Sequence, residues 1–434
     1  MRLSRLSFVF ALPCAGVFAA ENPAALTLDQ ALASVENVNV TVLLSREAAA
    51  QAVEQANVSR VSLLPIVTGN SSQRRSKSVA LTNSGVTSSA PTNRFDATFN
   101  GTFSLLDGVR WSSYRAARIG IEVARADYNG VVQSVLASIA QSYFAHLRNL
   151  RRLDVLDNNI ARARVLLELA TNQLRAGIAT QIDVTRAEAQ VAVAEQARLQ
   201  QLTTVFQSEL TLKRALDLNP AQPLRLADVV LRRVDAGVTI VDDEKATFDK
   251  RPDYIRAQKA VEQAKQDVRT ATFQRLPSLT VGGSFGWGAA NFDDEKGRQW
   301  SANAGISVPI FDGLRAGADR RSALSRRRAQ ELRLHGVELQ ISSELRLAMQ
   351  DASSRNAQVT VAEKSLQLAE DELRLAEQRY RQGVADNREV VEAQNRRAIA
   401  ADNAVEAVYQ YNLSRVEQAR VRGEVRTVLS EKVP

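Results

Sequence analysis

The sequence predicts a mostly α-helical protein of mixed α/β class, in which one unit of long helices and short strands occurs twice. The clearest sign is a repeat in which apolar residues recur in alternating steps of three and four, the spacing of a coiled-coil seam. Each seam ends near a glycine, Gly177 or Gly383, and an acidic residue follows, Asp183 or Glu389. These equivalent positions lie 206 residues apart (383 − 177 and 389 − 183). The seam residues are Leu153, Leu156, Ile160, Ala163, Leu167, Ala170 and Leu174 in the first copy, and Val359, Ala362, Leu366, Ala369, Leu373, Ala376 and Tyr380 in the second.

Residues 1–20 have the features of a secretory signal peptide. A basic start precedes an apolar core over 6–18, which is too short to span a bilayer stably. Cys14, the one cysteine of the chain, lies within this core, and Pro13 argues against a lipoprotein signal. We therefore expect a mature chain with neither a disulfide nor a thiolate metal site. No later segment has 18 consecutive apolar residues, so no membrane-spanning helix is predicted.

Each copy is predicted to run in the order helix, β-hairpin, very long helix, tight turn, helix. Thr27 and Gln30 form a capping box at the first helix, and Pro65 and Pro277 precede the hairpins. The first repeat covers 21–217, with a helix over 27–60, a hairpin over 63–106 around a loop at 76–93, a long helix over 109–174, a tip near 177 and a helix over 182–216. A linker covers 218–244. The second repeat covers 245–434, with a helix over 245–273, a hairpin over 276–311, a long helix, a tip near 383 and a helix over 388–428.

Three of the four predicted strands alternate between apolar and polar residues with a period of two, and the segment over 63–73 is predicted to be extended. Over 95–105, Phe and other apolar residues occupy one face, and Asp, Thr, Asn and Ser occupy the other. Each strand has about 11 residues, the length of a tilted bilayer crossing. Four strands cannot close a barrel and lipid does not tolerate open sheet edges, so the strands are expected to pair with other copies of the chain. A small soluble sheet that caps a coiled coil is the alternative, and the signal peptide and aromatic faces favour the membrane.

Composition fits long helices rather than several compact domains. Of the 434 residues, 45% are hydrophobic but only 5% are aromatic. The formal net charge of +8 becomes +6 (+8 − 2) if Arg2 and Arg5 leave with the signal peptide. The remaining arginines are interleaved with Glu and Asp, which is typical of solvated helix faces. The sequence therefore predicts no nucleic-acid partner.

Two features of the sequence could indicate an enzyme, but both fit positions inside predicted strands or helices. Gly282–Gly286 has the hydrolase elbow pattern, but the strand alternation continues through it to Trp287, which predicts strand glycines. His146 and His335, the two histidines of the chain, each lie in the middle of a predicted helix. No catalytic triad or metal site is therefore expected.

Several short motifs carry a family resemblance. Leu26 to Leu32 begins the first helix, Leu-Pro pairs precede the hairpins, and Asp-Gly pairs follow them. The most specific motifs are Leu174-Arg175-Ala176-Gly177 with Asp183, and Tyr380-Arg381-Gln382-Gly383 with Glu389. In this doubled order they resemble the TolC family of outer-membrane efflux and secretion channels, over nearly all of the mature chain.

The resemblance implies a homotrimer in the outer membrane that extends into the periplasm. Three chains would form a shared twelve-stranded transmembrane β-barrel, continuous with a tunnel of α-helical coiled-coil hairpins. The implied function is a passive exit duct of a tripartite efflux pump or a type I secretion system. Its implied partners are outer-membrane lipid, a periplasmic adaptor (membrane fusion) protein and an inner-membrane transporter. The family does no chemistry, so no enzyme activity, cofactor or metal is expected. A periplasmic adaptor or a structural coiled coil is the alternative, but an adaptor would have one hairpin and this chain has two.

The resemblance also implies roles for residues at the two tips. Asp183 and Tyr380 would form a latch in the closed state, although an acid at a helix start and a seam residue are compatible simpler interpretations. Glu389 and Glu392 would contribute to a ring of carboxylates at the aperture, or else are two exposed acids early in a helix. The expected adaptor-docking tips are Gly177, Ile178, Gly383 and Val384.

One expected latch residue does not match the family pattern. Ala385 occupies the position at which some members have a second latching arginine, and Arg388 is displaced from it. Arg396 and Arg397 are expected to weaken the negative field of the aperture acids.

Overall fold

A computed structural model describes residues 26–82, 85–227 and 244–426. The predicted signal peptide and most of the predicted linker lie outside the described residues. Among the described helices, none combines the length and hydropathy that a bilayer crossing requires. In chain order the elements are α1 (Leu28–Val38), α2 (Val40–Val61), β1 (Ile66–Ser76), β2 (Val79–Thr82), β3 (Gly85–Ser88), β4 (Thr92–Leu106), α3 (Gly108–Arg175), α4 (Gln181–Ala215), α5 (Glu244–Lys250), α6 (Pro252–Phe273), β5 (Ser278–Ala289), β6 (Gly297–Ser307), α7 (Arg315–Arg381) and α8 (Asn387–Arg422).

The two long helices form antiparallel hairpins, as the seams predict. α3 has 68 residues and α7 has 67, and each folds back on the helix that follows it. Near the turns the hairpins pack against each other, because Leu166 and Ala170 of α3 share an apolar cluster with Leu373 and Ala376 of α7. Burial of one leucine side chain stabilises by roughly 1.5–3 kcal/mol. This cluster therefore holds the two hairpins side by side.

A larger apolar cluster joins the first helix to the middle of α3 and to the C-terminal ends of α4 and α8. Leu32 of α1, Tyr143 of α3 and Val416 of α8 are buried in it. The capping box that the sequence predicts is present, since the Gln30 backbone N–H donates to Thr27 Oγ1, and the Thr27 N–H donates to Gln30 Oε1, both at 3.2 Å. The cap fixes the start of α1 and so positions its apolar face on this cluster.

The first helix of each unit is broken, whereas the sequence predicted continuous helices over 27–60 and 245–273. Asn39 ends α1 and caps α2, because its Oδ1 accepts hydrogen bonds from two backbone N–H groups of α2 at 3.0 and 3.3 Å. In the second unit Pro252 is the first residue of α6. Proline has no N–H to continue the preceding helix and is well suited to begin a new one.

The residue at each break also ties its unit to the end of that unit's last helix. Asn39 Nδ2 donates to the carbonyl oxygen of Ala215 at 2.8 Å, and Arg251 Nη1 donates to that of Val421 at 3.1 Å. Ala215 and Val421 are 206 residues apart and therefore equivalent. The amide of Asn39 and the guanidinium of Arg251 thus bind equivalent backbone carbonyls in the two units. The Arg251 side chain is only 5% exposed, and carboxylates of α6 and α7 balance its charge.

The four long strands form one antiparallel sheet in the order β1-β4-β5-β6. The predicted loop at 76–93 contains the short hairpin β2–β3, which the sequence did not predict. β6 ends at Ser307, although alternation continues to Ile310, because Pro309 cannot donate a ladder hydrogen bond. Among the described residues, the outer edges of β1 and β6 have no strand partner.

The register of the sheet brings similar residues together on each face. Phe99, Phe285 and Trp300 are direct neighbours across β4, β5 and β6, and all three are exposed. The next row of the ladder, on the other face, contains Asn100, Ser284 and Ser301. The predicted alternation is therefore correct: one face is aromatic and apolar, and the other is polar. We call these the outward and inward faces.

We expect Gly423→Ala to destabilise the chain more than Gly383→Ala. Both glycines have φ of +72°, so either alanine incurs a left-handed backbone cost of about 1–2 kcal/mol. A Cβ at Gly383 would meet nothing within 4 Å, whereas one at Gly423 would lie 2.6 Å from the carbonyl oxygen of Lys250. Thermal unfolding followed by circular dichroism should give the lower midpoint for Gly423→Ala. Equal midpoints for the two variants would contradict this expectation.

Candidate gate at the helix tips

The two tips have the same turn geometry. Gly177 has φ of +74° and Gly383 has φ of +72°, a conformation that favours glycine. In each tip the N–H of the next residue donates to a carbonyl five residues back, at 2.9 Å from Ile178 and 3.0 Å from Val384. This bond satisfies a carbonyl at the end of the long helix. The turns are therefore ordered, and their sequence similarity reflects a shared backbone requirement.

Each tip presents one large apolar side chain to solvent. Ile178 is 69% exposed and Val384 is 68% exposed. Both follow the turn glycines directly, so they stand at the far ends of the hairpins from the sheet. Exposed apolar residues at such a position are suited to contact with a partner protein.

Asp183 caps the start of α4 in this conformation. Its Oδ2 accepts hydrogen bonds from the Thr180 backbone N–H at 2.9 Å and from Thr180 Oγ1 at 2.7 Å. These bonds favour the charged carboxylate and lower the pKa of Asp183. In this conformation Asp183 therefore acts as an acid at the start of a helix, which was the simpler of the two interpretations.

Tyr380 lies between the two hairpins and is only 5% exposed. Its hydroxyl is buried and has no hydrogen-bond partner among the described residues. Burial raises the pKa of Tyr380, and the nearby carboxylates of Asp183 and Asp386 raise it further. The two predicted latch residues are thus near each other but are not hydrogen-bonded in this conformation, so the direct bond stays a prediction.

Two hydrogen bonds that the sequence did not indicate join the tips instead. Asn387 Nδ2 donates to the backbone carbonyl of Asp183 at 2.8 Å, and Gln173 Nε2 donates to that of Tyr380 at 3.4 Å. Asn387 is 1% exposed, whereas Gln181, its equivalent in the first copy, is exposed. The acceptors are backbone carbonyls, which carry no sequence signal. The one available clue was an uncharged amide at the first residue of α8.

The predicted aperture acids are each balanced by an arginine. Glu389 Oε1 lies 3.1 Å from Arg379 Nη1, and Glu392 Oε1 lies 2.8 Å from Arg388 Nε. Arg388, the displaced candidate for a second latch, is thus engaged within its own helix. Exposed pairs of this kind are worth about 0.2–1 kcal/mol, so they hold the acids only weakly.

Arg396 and Arg397 form their ion pairs with acids other than the aperture acids. Arg396 pairs with Glu372 at 2.6 Å, and Arg397 pairs with Glu370 at 2.9 Å. Both acids belong to α7, so these arginines link α7 to α8 along the hairpin. Their effect on the field of the aperture acids stays a prediction.

The motifs that could indicate an enzyme lie where the sequence predicted. Gly282–Gly286 is inside β5, with no turn at the serine. His146 is buried against Ser208, whose Oγ lies 2.9 Å from its Nδ1, and burial lowers the pKa of His146. His335 is on the separate helix α7. In the described part of the chain, no group of three His, Cys, Asp or Glu side chains could hold a metal ion.

Two long helical hairpins that continue from a sheet with one apolar face define an outer-membrane channel. The chain belongs to the outer membrane efflux protein family, which matches residues 25–217 and 246–423. The resemblance that the tip motifs indicated is therefore confirmed. The protein lies in the outer membrane and extends into the periplasm, and its family and fold are those of channels rather than enzymes.

Relatives and solved structures agree with this assignment. The pyoverdine export outer membrane protein OpmQ of Pseudomonas aeruginosa is 25% identical over 390 residues, which cover 87% of this chain and 80% of OpmQ. The fold is similar to that of the CmeC outer membrane channel of Campylobacter jejuni, with a TM-score of 0.82 and 19% identity over 97% of this chain and 94% of CmeC. It is also similar to the MtrE channel of Neisseria gonorrhoeae, with a TM-score of 0.79 and 19% identity over 92% and 89% of the two chains.

Proposed function

We propose that three copies of this chain form an efflux channel, each contributing the repeats 21–217 and 245–434. The observation that carries this proposal is the four-stranded sheet, which has an apolar face but, within the described residues, unpaired edges at β1 and β6. Unpaired backbone groups are not tolerated in lipid, so the edges need partners. Three such sheets would supply twelve strands, an even number within the range of membrane barrels.

An apolar stripe on α7 supports the same assembly. Val361, Leu368 and Leu375 recur every seven residues and are exposed in the single chain. They lie on a different face from the seam that packs on α8. A heptad stripe is suited to pack against another helix, and we assign it to a neighbouring subunit.

The channel would act as a passive duct driven by other proteins. The exposed tip residues Ile178 and Val384 are suited to contact a periplasmic adaptor, which would connect the channel to an inner-membrane transporter. OpmQ is named for the export of pyoverdine, which supports small-molecule efflux as the task of this chain. The tips would then form the gate at the periplasmic end.

The closed gate would be held by links between the two hairpins of each chain. The Asn387 and Gln173 side chains supply the links that the geometry supports. Asp183 would act by fixing the start of α4, and a direct bond to Tyr380 would require a rearrangement of its Thr180 contacts. Glu389 and Glu392 are proposed to face the aperture.

The trimer is tested by Leu368→Glu. This change places a charge in the proposed interface and is expected to reduce the trimer fraction in detergent, measured by size-exclusion chromatography with light scattering. Gln367→Glu introduces the same charge at the adjacent exposed position and should leave the trimer intact. A parent protein that is recovered as a detergent-independent soluble monomer would contradict the proposal, as would equal trimer fractions in the two variants.

A further inference from the structure

Charge is distributed very unevenly over the inward face of the sheet. Within β1, β4, β5 and β6, nearly all inward side chains are Ser, Thr, Asn, Gln or Gly. The charged inward residues of these strands are Arg74, Arg94 and Asp96. All three lie at the end of the sheet away from the helices, which is the outer mouth of the channel.

The three charged residues form one group. Arg74 and Arg94 are directly opposite each other across the β1–β4 ladder. Arg94 Nε lies 2.8 Å from Asp96 Oδ2, and Asp96 Oδ1 accepts a hydrogen bond from Gln299 Nε2 at 3.2 Å. Asp96 thus neutralises one arginine, and Arg74 has no salt bridge among the described residues. Each chain contributes a net charge of +1.

The acidic turn between β5 and β6 does not cancel this charge, because it folds over the outward face. Phe292 of the turn packs on outward-facing Phe95, with ring centroids 5.1 Å apart. Gln73 Nε2 donates to the carbonyl of Ala290 at 3.3 Å, and Asn93 Nδ2 donates to Asn291 Oδ1 at 2.9 Å. Gln73 and Asn93 share the face of Phe95 by alternation. These contacts draw the turn that carries Asp293, Asp294 and Glu295 toward the outward face of the sheet.

The connection between β1 and β4 adds no acid either. Between Arg75 and Arg94 the only charged residue of the sequence is Lys77. The outer mouth is therefore lined by a cationic group, and in the described strands Asp96 is the one inward carboxylate beside it.

We propose that Arg74, Arg94 and Asp96 form a cationic collar that makes the outer mouth select for anionic solutes. The collar rests on the proposed trimer, in which it contains six arginines and three carboxylates. Rings of charged side chains set ion preference in pores, and a confined ring focuses its field into the lumen. The solutes favoured by this ring are small molecules that carry carboxylate, sulfate or phosphate groups. Arginine pairs well with all three.

A series of variants changes the collar charge while the strands stay the same length. Asp96→Asn raises the net charge per chain to +2, Arg74→Gln lowers it to 0, and Arg74→Gln with Arg94→Gln lowers it to −1. Arg75→Gln removes an arginine from the adjacent outward position and is the matched control, because it leaves the lumen unchanged.

The measurement is block of single channels in planar bilayers by inositol hexaphosphate added on the barrel side. We expect block of the parent, tighter block of Asp96→Asn, and block of the double variant that is weaker by about tenfold or more, since charges near the bound anion are removed. Higher salt should weaken the block of the parent. The Arg75→Gln variant should behave like the parent.

Two results would overturn the collar: equal block of the double variant and the parent, or an effect of Arg75→Gln as large as that of Arg74→Gln. If removal of the arginines impairs assembly, the Asp96→Asn variant still tests the collar, because it keeps both arginines and must bind the anion more tightly than the parent does. Light scattering of each preparation shows whether the trimer has formed, so a loss of anion block can be distinguished from a loss of assembly. A monomer would overturn the proposed assembly and the collar with it, whereas a conducting trimer without charge-dependent block would overturn the collar alone.

Discussion

Phe99→Arg is expected to prevent insertion of the protein into the outer membrane, whereas Thr98→Arg is expected to insert. Phe99 lies in the exposed aromatic row of the outward face, next to Phe285. An arginine there would face lipid at a cost of about 2–4 kcal/mol near the bilayer midplane. In a trimer the cost would occur three times. Thr98 is on the inward face, so an arginine there points away from lipid and reaches water.

Membrane fractionation and trimer content on gels run without heating would measure this effect. A second pair nearer the helices, Ile306→Arg on the outward face and Ser307→Arg on the inward face, tests the same assignment on β6. If both members of each pair insert equally well, the assignment of faces to lipid and lumen is wrong. If the inward variants alone fail, the faces are reversed.

Asn387→Ala is expected to open the resting channel. The change removes the bond from Asn387 Nδ2 to the carbonyl of Asp183, which links the two hairpins at a buried site. A neutral hydrogen bond contributes about 0.5–1.5 kcal/mol net, and three chains would lose three of them. The open population should therefore rise by at least about tenfold, which single-channel conductance in planar bilayers would report. Gln181→Ala, at the equivalent exposed position, is the matched control and should conduct like the parent.

Variants at Asp183 and Tyr380 separate the two possible latches. Asp183→Ala removes the acid of the α4 capping box, and because an acid in the first turn of a helix contributes about 0.3–1 kcal/mol, the change should raise conductance. Tyr380→Phe removes a hydroxyl that has no hydrogen-bond partner in the described part of the chain, so conductance should stay at the parent level. A rise in Tyr380→Phe would instead support a direct Asp183–Tyr380 bond. Parent-like conductance in Asn387→Ala would place the gate elsewhere.

The aperture acids should affect ion preference rather than opening. Glu389→Gln with Glu392→Gln removes two carboxylates and leaves Arg379 and Arg388 without their partners. The resting aperture should stay closed, but cation preference and block by cations should fall. Unchanged cation block would show that these acids do not line the aperture.

The properties that the sequence determined by itself are those encoded by local periodicity. Steps of three and four residues specify the helical seams, and the 206-residue offset specifies that the unit occurs twice. Period-two alternation specifies the strands and their faces. Glycine at the two tips follows from a left-handed backbone conformation that few other residues adopt easily. These signals are local, so they could be recognised without knowledge of the tertiary contacts.

Which polar groups form hydrogen bonds and ion pairs with each other depends on the tertiary structure. The helix break at Asn39 could not be predicted from the sequence, because the Asn39 side chain binds the backbone carbonyl of Ala215, 176 residues away. The link from Asn387 to Asp183 was hidden for the same reason. The cationic group at the outer mouth depends on the register that sets Arg74 opposite Arg94 across a long hairpin. The type of a side chain indicates which hydrogen bonds it can donate or accept. Its partner depends on how segments distant in sequence pack together. The gate contacts and the collar are therefore visible only in the folded chain.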